Sequence, residues 1–115
     1  MYLLREGEIY RVTEDHTFAE QLRERNFEDQ RLIDRYKHVL SRSIGGQPDV
    51  EVDQVFVDLQ DDDRLLICSD GLTDYLNGQE IADYAKDLDG AALLERLVDE
   101  AKVRGGADNL SLIHI

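Results

Sequence analysis

The sequence predicts an α+β fold in which helices pack on a largely antiparallel sheet. Three observations carry this. Short runs with strand character stand at both ends of the chain and in its middle. Stretches with helical apolar spacing lie between them, each behind an N-cap residue. Most of the links between strands are short, which suits antiparallel neighbours better than parallel ones, whose crossovers need a dozen residues or more.

The elements follow in order. Met1–Val12 reads as a hairpin, with Tyr2-Leu3-Leu4 and Ile9–Val12 flanking the turn Glu6-Gly7-Glu8. Thr17 caps a helical region, and Glu20 stands three residues on in the capping-box position. Phe18, Leu22, Leu32, Ile33 and Tyr36 give that region its apolar spacing, and Arg23, Arg25, Arg31 and Arg35 read as its solvated face. Val39–Ile44 reads as a strand closed by Gly45-Gly46. Val50–Leu59 reads as another. Val50 and Val52 lie in one alternation phase and Val55, Val57 and Leu59 in the other, so a bulge near Asp53-Gln54 is expected.

Gln60–Asp63 is a turn, and Arg64–Ser69 is a continuous apolar strand of the kind covered on both faces. A helical turn over Leu72–Leu76 follows. Asn77 caps a second helix, with Glu80 again in the capping-box position and Ile81, Tyr84, Ala85 and Leu88 on one side. Asp89 caps a third, whose stripe is Leu93, Leu94, Leu97, Val98 and Ala101 and whose end is Gly105-Gly106. Asn109–Ile115 is the last strand. There is no internal repeat and no low-complexity segment.

Composition narrows the function. The chain has 115 residues, enough for one domain with a real core. Its charge of −13 opposes binding to nucleic acid and to anionic membrane surfaces, and is compatible with divalent cations or basic proteins. The single cysteine, Cys68, lies in an apolar run and reads as a buried structural thiol, with no Cys/His cluster to suggest zinc. No apolar run approaches the ~18 residues of a membrane span, and nothing reads as a signal peptide, so a cytoplasmic location is expected.

Two loops carry candidate chemistry. Ser69-Asp70-Gly71 ends the apolar strand, and Gly105-Gly106-Ala107-Asp108-Asn109 precedes the last one. If these strands are antiparallel neighbours, Asp70 and Asp108 meet at one end of the sheet. Paired carboxylates there are hard oxygen ligands suited to Mg²⁺ or Mn²⁺. Taken alone, the same dipeptides also suit ordinary turns.

Asp63–Asp74, which contains Ser-Asp-Gly, and Gly105–Ile113, which contains Gly-Gly-x-Asp-Asn, resemble two motifs of the protein phosphatase 2C-like (PPM) family. Tyr2-Leu3-Leu4-Arg5 through Val12-Thr13-Glu14-Asp15-His16-Thr17 resembles that family's strand pair ending in a Thr-x-Asp-His-Ser/Thr motif, and Val39–Gly45 its Leu-Thr-Arg-Ala-Leu-Gly motif. The four matches are collinear and span the chain. The resemblance implies two antiparallel sheets packed face to face with helices outside, of which residues 1–115 are the C-terminal part: one partial domain, half of a β-sandwich. It implies a pair of Mg²⁺ or Mn²⁺ ions at one edge of the sheets, where a water attacks phosphoserine or phosphothreonine of a phosphoprotein substrate. Asp70 and Asp108 carry over as metal ligands, and no other catalytic role does. The family's remaining ligands, in a Glu-Asp motif and an Asp-Gly-x-Gly-Gly motif, and its phosphate-binding arginine do not occur in these 115 residues. An isolated chain is therefore expected to be inactive. The rival expectation is a degenerate, non-catalytic interaction module that pairs through its exposed sheet as a homodimer. The retention of both Asp70 and Asp108 favours the enzymatic origin.

Overall fold

The computed structural model describes residues 1–26, 28–106 and 111–114. Its elements are β1 (Tyr2–Arg5), β2 (Glu8–Arg11), α1 (Phe18–Glu24), α2 (Gln30–Tyr36), β3 (Arg64–Cys68), α3 (Asp70–Thr73), α4 (Gly78–Asp87), α5 (Gly90–Val103) and β4 (Leu112–His114). The four strands form one antiparallel sheet in the order β2-β1-β3-β4. The α+β expectation and the antiparallel sheet are therefore observed. The chain divides into two compact units. One joins Met1–Thr13 to Val57–Ile115, and the other is Glu14–Phe56.

The first unit contains the sheet. The β1–β2 hairpin turns at Glu6-Gly7, both at positive φ (51° and 79°), the left-handed region that suits glycine. Cross-strand partners share a face. Leu66 pairs with Tyr2, and Leu4 with Arg64, so these residues lie on the side that carries the helices. Leu66 and Leu4 are buried there with Leu72, Leu76, Ile81, Ala85, Leu93, Leu97 and Ala101. The stripe Leu93–Leu97–Ala101 advances by four residues per step, which keeps it on one side of α5. Burying a leucine of this kind contributes about 2 kcal/mol. Arg64 reaches over the end of α4, donating to the carbonyls of Ala85 (2.6 Å) and Leu88 (3.1 Å), which the helix itself leaves without partners.

The Asn77 cap forms as expected, its side chain accepting from the Glu80 amide at 2.9 Å. The Asp89 cap accepts from the adjacent Gly90 amide instead. A helical turn was expected over Leu72–Leu76, but α3 starts two residues earlier, at Asp70 itself.

The second face of β3 is covered only in part. Leu65 is half-buried and its β1 partner Leu3 is buried, but Ile67 is 39% exposed and its β4 partner Ile113 is 55% exposed. α4 and α5 pack against the Leu66 side of the sheet. Cys68 is half-buried at the margin of that core rather than enclosed in it.

In the second unit the single helical region expected behind Thr17 is two helices. Thr17 caps α1 by accepting from the Glu20 amide at 3.2 Å. Asn26 then takes φ 59°, which ends the helix, and Asp29 caps α2 by accepting from the Arg31 and Leu32 amides. Val39–Ile44 does not form the expected strand. One bridge, Thr17–Leu40, is all that this stretch contributes to antiparallel pairing. Residues 50–59 form no strand either. Alternation alone does not satisfy a strand's backbone groups, which need a neighbouring strand.

Candidate metal centre

Asp70 owes its position to the junction of β3 and α3. Ser69 is extended (φ −81°, ψ 170°), and Asp70 is the first helical residue. The Ser69 side chain does not cap α3. Its Oγ accepts from the Ser111 amide at 3.1 Å, and its own amide donates to the Ser111 carbonyl at 3.1 Å. These bonds carry the β3–β4 pairing, in register at Cys68–Leu112, one residue past both strands. Leu72, with no exposed surface, anchors the turn from within, beside buried Gly71. Asp70 itself is at the surface.

One turn on, the Asp74 amide donates to the Asp70 carbonyl at 2.9 Å. Oxygens of the two carboxylates lie within 4.8 Å of one another. Sequence reading did not single out Asp74. Its signal was the spacing of four from a strand-ending aspartate, which stacks side chains on one helix face.

The second loop leaves α5 at Gly105-Gly106. Gly105 has φ 141°, and a β-carbon there would lie 2.9 Å from the Tyr75 ring. Glycine is required by both the conformation and the contact. The Gly106 amide donates to the Ala101 carbonyl at 3.0 Å and closes the helix. Arg104 donates to the Tyr75 carbonyl at 2.8 Å and pairs with Glu80 and Glu100, which hold its guanidinium even more firmly charged than usual. Asp108 lies outside the described residues. The described residues around it reach the Asp70 side of the unit: Gly105 packs on Tyr75, and Ser111 bonds to Ser69.

The second unit has its own polar cluster. His16 Nε2 lies 2.7 Å from Asp53 Oδ2, and Arg42 donates to Asp53 Oδ1 at 2.6 Å. A groove of about 620 Å³, lined among others by Phe18, Leu40, Gln47 and Asp49, runs beside Arg42. His16, read in the sequence as a motif residue without a catalytic role, is thus a hydrogen-bonding partner of Asp53.

The donor chemistry of the first cluster fits Mg²⁺ or Mn²⁺. Two surface carboxylates one helical turn apart offer hard oxygens of the kind these ions take.

The family model "Protein phosphatase 2C" matches residues 1–110. The serine/threonine phosphatase stp of Listeria welshimeri is 35% identical over 118 residues, covering 97% of this chain and 46% of that protein. The PPM Ser-Thr phosphatase MsPP of Mycobacterium smegmatis, solved with cacodylate, superposes with a TM-score of 0.82 at 33% identity, over 99% of this chain and 50% of that one. The catalytic domain of the phosphatase PstP, solved with two manganese ions, gives a TM-score of 0.79 at 30% identity, over 98% and 47%. The chain spans about half the length of the relatives it matches. With 110 of its 115 residues inside the family model, this chain belongs to the protein phosphatase 2C family.

Proposed function

We propose that the chain is the C-terminal part of a Mg²⁺- or Mn²⁺-dependent protein phosphatase acting on phosphoserine and phosphothreonine in proteins, that residues 1–115 form one partial domain of it, and that Asp70 and Asp108 are metal ligands. The observation that carries this reading is the Ser69–Ser111 pairing, which joins the strand end bearing Asp70 to the strand that follows the Asp108 loop. Asp74 adds a third carboxylate beside Asp70.

Divalent ions bound there would supply a water nucleophile and neutralise charge on the phosphate. The chain's own residues fix the ligands. Leu72 pins the Asp70 turn, Ser69 ties it to β4, and Arg104 holds the end of α5 against Tyr75. Mg²⁺ keeps several waters and needs its few protein ligands well placed, so these carboxylates alone hold it weakly. The isolated chain is therefore inactive, and a cytoplasmic, signalling role belongs to the intact enzyme.

Calorimetric titration with Mn²⁺ tests this. The expected result is weak binding by the wild type that Asp70→Asn abolishes. Equal binding by both proteins would refute the ligand assignment, and brisk hydrolysis of p-nitrophenyl phosphate by the isolated chain would refute its inactivity. The rival reading, a non-catalytic module that dimerises, draws on the exposed Ile67 and Ile113 of the sheet. Light scattering separates the two, since the phosphatase reading needs no dimer.

A further inference from the structure

Asp49–Phe56 is anomalous within the second unit. Its sequence alternates like a strand, yet it adopts no strand or helix, and every one of its residues is exposed. Val52, Val55 and Phe56 are 77%, 51% and 90% exposed, and Val50, at 37%, is the one apolar side chain of the segment with substantial cover, so apolar burial contributes little to holding it. Among the described residues its backbone makes no hydrogen bond to another backbone group. What ties it down is charge. Arg42 donates to Asp53 Oδ1 at 2.6 Å and to the Glu51 carbonyl at 3.3 Å, and its guanidinium lies 3.6 Å from the Glu51 carboxylate. His16 Nε2 lies 2.7 Å from the other Asp53 oxygen. Glu51 and Asp53 are two residues apart, so Arg42 grips one side of the segment and leaves Val52 on the other.

We propose that Asp53 is a latch: its carboxylate, shared between His16 and Arg42, seats the Asp49–Phe56 strap on the second unit, and opening it frees the strap while both units stay folded. The latch brings together two motifs distant in sequence, the Asp-His pair and Leu-Ser-Arg. Its place coincides with the break in alternation at Asp53-Gln54, where the chain turns one residue toward its own unit between two apolar phases. Arg42 first, and His16 second, hold the Asp53 carboxyl below its ordinary range, which agrees with a carboxylate gripped from both sides. Glu14, Asp15, Glu20 and Glu24 line the same recess. Arg42 and His16 therefore sit in a recess rich in acids, and exposed pairs of this kind are individually weak and screened by salt. A strap held this way is seated at low ionic strength and released without unfolding anything.

Backbone ¹⁵N relaxation tests this without reference to phosphatase activity. In low salt the strap amides should show order parameters near ~0.85, like those of α5, and Asp53→Asn should drop them below ~0.6 while α1, α2 and α5 keep theirs. On the wild type, 1 M NaCl should lower the strap alone in the same way, because the screening length falls to about 3 Å. A strap that stays ordered in both Asp53→Asn and high salt overturns the proposal, as does one already below ~0.6 in low-salt wild type. If Asp53→Asn disorders α1 and α2 as well, the salt experiment on the wild type decides: loosening of the strap with ordered helices sustains the latch, and any other result overturns it.

Discussion

The unit made of Met1–Thr13 and Val57–Ile115 encloses Leu66, Leu72, Leu76, Ile81, Leu93 and Leu97 almost completely, whereas Glu14–Phe56 buries only Ala19 and Ile33 among its described residues. The first is held by apolar area under two long amphipathic helices. The second is held by two seven-residue helices, their caps and a set of exposed ion pairs. Helices that short are marginal without packing. The contrast shows where rigidity has been placed: the unit that positions Asp70 is the one with a core, and the unit with the latch is the one whose segments can move at small cost.

The largest expected effect breaks the better-packed side. Leu97→Ala removes a side chain with no exposed surface and should destabilise the first unit by about 2–5 kcal/mol, measured by urea denaturation. Ile33→Ala in α2 should fall at or below the low end of that range, because a thin core collapses more readily around the deletion. Equal losses would mean that the second unit is as tightly packed as the first.

The caps give a sharper and smaller comparison. Asn77→Ala and Thr17→Ala each remove a side chain that accepts from the amide three residues on, and each should cost about 1 kcal/mol of local stability. Hydrogen exchange should register the first only in the slowly exchanging amides of α4, and the second in amides of α1 that already exchange fast.

Acid should act on both units in the same direction and through different partners. Arg5, which donates to Asp63 at 2.9 and 2.6 Å, is the main reason that the Asp63 carboxyl is lowered to about 2; the Gln60 amide adds to it. A carboxyl lowered on folding stabilises the native state above its unfolded value. That contribution is lost as pH falls from about 4 through about 2. Thermal melts between pH 5 and pH 2 should decline less steeply in Asp63→Asn than in wild type. Asp53 is lowered too, by Arg42 and then His16, so acid should also weaken the second unit. An unchanged slope in Asp63→Asn would mean that the Arg5–Asp63 pair contributes nothing to acid sensitivity.

Much of the fold was legible locally. The hairpin at Glu6-Gly7, the Thr17 and Asn77 caps, the Leu93–Leu97–Ala101 stripe and the Gly105-Gly106 stop all depend on residues close in sequence, whose conformational preferences need no distant partner. The misread elements were those whose state depends on one. Val39–Ile44 and Val50–Leu59 carry β-type alternation, but a strand exists only when another supplies its hydrogen bonds. Arg64–Ser69 reads as apolar throughout, and burial on one face or both is decided by what packs there. The end of α1 coincides with the positive φ of Asn26, which the apolar spacing did not reveal.

The same division runs through the candidate centre. By itself the sequence determined the candidates: Asp70 behind an apolar strand, Asp108 behind a glycine pair, and motifs in an order that places the chain in its family. Tertiary structure alone decided that Ser69 bonds to Ser111 and that His16 and Arg42 share Asp53. The physical reason is range. Capping, turn and periodicity preferences act over a few residues, whereas these contacts join positions up to 42 residues apart, and only the packing of helices on the sheet and the closing of the chain onto itself bring them together.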